Sequence, residues 1–97
     1  MAREYVLNAE EMEPPEPLVR TLELADTLGA GEYLRLRHRR EPCLLYDNLS
    51  QRGFDHLTCE GVDVAYEVFI WHKGDGEAEA AARRAADRVS DQDLIRS

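Results

Sequence analysis

The rhythm of apolar and polar positions changes repeatedly along the chain, and each change marks an element. Glu4-Tyr5-Val6-Leu7-Asn8 is rich in β-formers between polar neighbours and predicts a first strand. Ala9 to Glu13 is an acidic loop. Leu18, Leu22, Ala25 and Leu28 then recur at helical spacing, with Val19 widening the stripe. Pro15 and Pro17 fit the first turn of that helix, where backbone N–H groups have no intrahelical acceptor. Gly29 and Gly31 end it. From Glu32 to His38 the period falls to two, with Leu34 and Leu36 on one face and Tyr33, Arg35 and Arg37 on the other.

Pro42 opens a second helix with apolar positions Leu45, Tyr46 and Leu49, and Gly53 closes it. Phe54 to Glu60 reads as a third strand. Gly61-Val62-Asp63 is a turn, and Ala65 to His72 is a fourth strand. In that strand Tyr66, Val68 and Ile70 share one face, while Glu67, Phe69 and Trp71 share the other. Beyond Lys73-Gly74-Asp75-Gly76 the chain turns alanine-rich, with mixed charges and no large apolar stripe.

The order β-α-β-α-β-β predicts an α+β two-layer sandwich. A right-handed crossover makes the first two strands parallel, and a short turn makes the last two an antiparallel hairpin. Two helices cover one face of a four-stranded mixed sheet, and the other face is expected to be open. Residues 1–73 form this domain. Residues 74–97 are expected to be a charged, alanine-rich tail, partly helical or disordered, because a helix of that length without a docking stripe is marginal alone.

Composition narrows the partners. The 97 residues carry a net charge of −8, which argues against nucleic acid and against anionic membranes. No segment has the roughly eighteen apolar residues of a membrane span, and the N-terminal residues lack a signal-peptide stretch, so the cytoplasm is the expected compartment. There, Cys43 and Cys59 are expected as free thiols. The charge is uneven: residues 1–34 hold eight carboxylates and two arginines, whereas Arg35-Leu36-Arg37-His38-Arg39-Arg40 is a compact basic segment.

The run Met12-Glu13-Pro14-Pro15-Glu16-Pro17-Leu18, between a strand and a helix, resembles the Cys-Pro-x-Pro signature of the TusA/SirA sulfur carriers. With Gly31-Glu32 and Arg39-Arg40-Glu41-Pro42, it looks closest to an uncharacterised TusA-related family that has a Pro-Pro-x-Pro-Leu motif. The resemblance implies the TusA-like fold over roughly Tyr5 to Lys73. In the carriers a thiolate at the helix start accepts sulfur as a persulfide. Here that position is Pro14, which has no nucleophile. The resemblance therefore implies a carrier scaffold without its usual chemistry, and no catalytic residue is assigned.

The leading expectation is a non-catalytic binding or interaction module without a cofactor. Its binding candidates are Glu13, Pro14, Pro15, Pro17, His38, Arg39, Arg40 and Cys43, and its partner is another protein or a small anionic ligand. Cys43 has a second reading: at a helix start beside Arg39 and Arg40 it is a candidate sulfur or redox carrier, or simply a small helix-start residue. A metal or haem site is the third reading: Met12, His38, Cys43, His56, Cys59 and His72 show no ligand spacing, so only folding could bring them together, and His38 and Cys43, which bracket one loop, are the pair it would use. Tyr33, Arg35, Arg37, Phe69 and Trp71 on the open sheet face suit protein docking, including a homodimer contact, or the arginine stems simply cover the sheet.

Overall fold

The strands pair as their alternation dictates. The computed structural model describes residues 3–96, with side-chain surroundings through Ser90; Met1, Ala2 and Ser97, at the ends of the two expected segments, lie outside the described residues. The elements are β1 (Arg3–Asn8), α1 (Glu16–Ala25), β2 (Glu32–His38), α2 (Cys43–Gln51), β3 (Phe54–Glu60), β4 (Tyr66–His72) and α3 (Gly76–Arg96). The sheet order is β1-β2-β4-β3. β1 and β2 are parallel, with Tyr5 opposite Leu34 and Leu7 opposite Leu36. β4 pairs antiparallel with both β2 and β3, setting Val68 against Leu36 and Glu67 against Cys59. The α+β class and the four-stranded mixed sheet are as the sequence predicts.

The first core lies between the sheet and α1 and α2. Leu7, Leu34, Leu36, Val68 and Ile70 of the sheet meet Ala25 and Leu28, Leu45 and Leu49, and Phe54, all buried. Leu18, Leu22 and Tyr46 pack against this cluster from the helices. The period-two face of each strand thus meets the helical stripe predicted for it.

The second face corrects the sequence reading. It is not open, and the alanine-rich segment is not a free tail. α3 lies across it, and Ala78, Ala81, Ala82, Ala85, Ala86 and Val89 pack on Tyr33, Phe69 and Trp71. Phe69 and Trp71 are 0% and 1% exposed. Those six α3 positions follow the spacing of an apolar helix stripe, but with side chains too small to be read as one. The bulk comes from the sheet, and alanine lets the helix approach the aromatic rings. With these rings covered, the basis for a homodimer contact on that face is gone.

Arg35 and Arg37, expected on the same open surface, are held in ion pairs. Arg35 grips the buried Glu67 carboxylate through Nε and through Nη2 at 2.9 Å, and its guanidinium lies 5.8 Å from the Phe69 ring centroid. Arg37 pairs with Asp63 and lies 3.6 Å from Glu67. These contacts pair a carboxylate that would otherwise be buried alone.

A hydrogen-bonding side chain also fastens the start of α3. Asp75, just before the helix, accepts from the Ala78 N–H at 3.0 Å through Oδ1, the geometry of an N-cap. Its Oδ2 accepts from the Gly31 N–H at 2.8 Å, which fastens the helix start to the turn entering β2. Gly31 has φ +77°, a backbone conformation that favours glycine.

Candidate functional site

Because β1 and β2 are parallel neighbours, both end at the same edge of the sheet. A hydrogen bond from the Ala9 N–H to Arg37 O (2.8 Å) continues their pairing beyond β1. The two loops that leave this edge lead into α1 and α2, and a groove of about 370 Å³ lies between them. Strand carboxyl ends of this kind are where open α/β sheets place ligands.

All four prolines of the chain line the groove: Pro14, Pro15 and Pro17 from the first loop and helix start, and Pro42 from the second. Leu18, Leu36, Leu44 and Leu45 complete the apolar walls. Pro15 is the residue before α1 and Pro42 the residue before α2, and neither helix has a side-chain cap at its N-terminus. The Pro14–Pro15 peptide is cis. In α1, the buried Thr21 hydroxyl donates to Pro17 O at 2.6 Å.

The polar groups of the lining are few: His38, Arg40, Glu41 and the exposed Cys43 thiol. The Arg40 N–H donates to His38 Nδ1 at 3.0 Å. A nitrogen that accepts carries no proton, so the neutral ring holds its proton on Nε2. Burial, and then the charges of Arg39 and Arg40, push the His38 pKa down and favour that neutral form. Arg40 makes no ion pair among the described residues. The Tyr46 hydroxyl donates to Glu41 at 3.3 Å.

Six of the eight binding candidates read from the sequence line the groove: Pro14, Pro15, Pro17, His38, Arg40 and Cys43. The other two pair with each other instead. Arg39 reaches Glu13 at 3.4 Å and Glu10 O at 3.3 Å. The leucine walls were missed by sequence reasoning. Leu44 is 80% exposed beside the buried Leu45, and neither residue type nor spacing alone marked it as a wall.

Among the described residues, no three His, Cys, Asp or Glu side chains come together as a metal site. His38 in its present tautomer presents a donor at Nε2 rather than a lone pair, which does not suit a metal. Cys59, on β3, has its thiol pKa pushed up by burial and then by Glu67. No described helix is long and apolar enough to cross a membrane.

A family model matches residues 6–72, from within β1 to the end of β4. The chain belongs to DUF2249, a family described as an uncharacterised conserved protein. No curated protein and no solved structure matches. The DUF2249 match spans the second half of β1, the other three strands, α1, α2 and every residue that lines the groove, and it ends before α3.

Proposed function

We propose that this DUF2249 protein is a non-catalytic binding module of TusA-like ancestry that works in the cytoplasm. In this reading the groove between the loops before α1 and α2 receives a small anionic ligand or an anionic group of a partner protein. The observation that carries it is the groove itself: apolar walls lined also by the exposed Arg40, which makes no ion pair among the described residues, and by a His38 ring whose Nδ1 accepts from the Arg40 N–H and leaves Nε2 to donate. In an acidic chain, an exposed cation at the edge of an apolar groove is complementary to an anion. The resemblance to the sulfur carriers supports the scaffold, and Pro14 removes the thiol at the position where they carry sulfur.

The test is a protein-detected NMR titration with a panel of small anions, neutral compounds and cations. Saturable shifts confined to residues 13–18 and 38–45 support the reading. Absence of any groove binder in the panel removes it.

A second reading is favoured by one observation: Cys43 is exposed in the groove, whereas Cys59 is partly buried with its pKa raised. Cys43 is then a displaced carrier thiol. Faster iodoacetamide labelling of Cys43 than of Cys59 near neutral pH, and a sulfur-mass gain on Cys43 after incubation with polysulfide, would establish it. Equal slow labelling and no added sulfur would leave the non-catalytic reading alone.

A further inference from the structure

We infer that the groove takes an amphiphilic monocarboxylate, its carboxylate against Arg40 and the His38 Nε2–H and its hydrocarbon part against the proline and leucine walls. The inference rests on the binding-module reading above and narrows it to one ligand class.

Three features select that class. The first is charge. Arg40 makes no ion pair among the described residues, but Glu41 also lines the groove and contributes a carboxylate of its own. One guanidinium beside one resident carboxylate favours a monoanion over a phosphate dianion. A carboxylate also matches the planar fork of arginine, leaving an oxygen lone pair for the His38 N–H.

The second is size. A volume of about 370 Å³ is roughly two and a half times that of an engineered cavity that holds benzene. That scales to a ligand of on the order of ten to fifteen non-hydrogen atoms. Acetate leaves most of the groove empty, and a chain of about eight to twelve carbons fills it.

The third is the proline lining. Proline has no backbone N–H. The four groove prolines therefore supply surface without donors. A peptide main chain seated there would leave its carbonyl groups unpaired along these walls, which is costly. A hydrocarbon chain needs no partners. The walls thus discriminate against an extended peptide terminus, although it too carries a carboxylate.

The experiment is an NMR titration of the full-length 15N-labelled protein with acetate, butyrate, hexanoate, octanoate and decanoate below their micellar concentrations. The matched neutral probe is 1-octanol, and a short peptide ending in leucine tests the other carboxylate source. Expected are saturable shifts at His38, Arg40, Cys43 and Leu44. Kd should tighten about three- to fourfold per methylene until the groove is full. Octanol should bind at least tenfold more weakly than octanoate. Arg40→Gln should weaken octanoate about tenfold and leave octanol unchanged. The Arg40 side chain makes no hydrogen bond or ion pair among the described residues, and its backbone bond to His38 is kept in the variant; an unchanged amide spectrum away from the groove checks this.

Octanol binding as tightly as octanoate overturns the carboxylate, and acetate binding as tightly as octanoate overturns the hydrocarbon part. Tighter binding of the peptide overturns the choice of a small molecule. In the acetate and peptide cases the groove still binds an anion, so the broader reading survives; in the octanol case its anionic part fails as well. If no fatty acid shifts the groove, the inference fails, and the wider anion and neutral panel decides separately whether the binding-module reading fails with it.

Discussion

The two faces of the sheet are built on opposite rules. Under α1 and α2, helix and strand both contribute bulk: Leu45 and Leu49 meet Leu34, Leu36 and Ile70. Under α3 the sheet brings Tyr33, Phe69 and Trp71, and the helix brings five alanines and a valine. A large-on-large interface announces itself from both partners. A small-on-large interface announces itself only from the aromatic side, and there it imitates an exposed binding surface. The DUF2249 match covers the first interface and stops before the helix that makes the second.

The largest effect expected from breaking this contrast comes from ending the chain at Lys73. Removing α3 bares Tyr33, Phe69 and Trp71 together. At about 1.5–3 kcal/mol for each large apolar side chain, the loss is on the order of 5 kcal/mol or more, a large share of the stability of a small domain. Urea denaturation and the emission of Trp71, the single tryptophan of the chain, report it. A truncated chain with the full-length midpoint and blue-shifted emission would show that α3 does not hold this face.

Reciprocal substitutions come next. Leu49→Ala opens a cavity in the first interface and should cost about 2–5 kcal/mol. Ala82 is fully buried against the aromatic rings, so Ala82→Leu overfills the second interface and should cost about 1–3 kcal/mol. Helix propensity alone predicts almost no cost for Ala82→Leu. Equal stability of Ala82→Leu and wild type in chemical denaturation would mean that the alanine stripe is not a packing face.

Much of the fold was legible because its signals are local. Proline at the start of α1, glycine at its end and the alternation of β2 and β4 each fix an element without reference to the rest. The groove was partly legible for the same reason: a strand-helix-strand order sends two loops to one edge, which brought His38, Arg40 and Cys43 beside the prolines. What was not legible depends on pairing across the sheet. Nothing local says that Arg35 belongs to Glu67 rather than to solvent, or that Arg39 turns to Glu13 and leaves Arg40 unpaired. The role of α3 was hidden because alanine signals helix propensity and packing in the same letter, and only the positions 78, 81, 82, 85, 86 and 89 distinguish them.

A third prediction asks whether the paired charges on the α3 side hold that interface. Glu67 is buried, and Arg35 is held to it by two hydrogen bonds. Glu67→Gln keeps the shape, removes the charge and leaves the guanidinium groups of Arg35 and Arg37 without their shared partner. A loss of about 1.5–3 kcal/mol is expected, the range for hydrogen bonds to charged groups. It should be accompanied by a change in the Trp71 and Phe69 environments, visible in near-UV circular dichroism or aromatic NMR shifts. A loss confined to overall stability with those signals unmoved would place the network outside the α3 interface.

The smallest effect is the most local. The backbone N–H groups of Gly31 and Ala78 hold the Asp75 carboxyl below its usual range, with the Gly31 bond the larger cause. A carboxylate whose pKa is lower in the folded than in the unfolded state stabilises the fold above the unfolded value of about 3.9. That contribution is lost as pH falls through the folded value. Burial, its largest cause in each ring, lowers the pKa values of His38 and His56, so their contribution is present above about pH 6.5 and is lost as pH falls below it. The two windows begin at different pH. Asp75→Asn keeps one acceptor oxygen where the carboxylate used two, so it can satisfy Gly31 or Ala78 but not both with full charge. Its urea midpoint should therefore lie below wild type at pH 7. The gap should persist through pH 5, where both proteins lose the histidine contribution equally, and close below about pH 4 as wild-type Asp75 protonates. Trp71 emission followed across the same range should converge with the midpoints, because the bond at Gly31 is what fastens the start of α3 over the ring. A gap between the two proteins that stays constant down to pH 2 would place the cost of the substitution in the shape of the turn and not in the charge of Asp75.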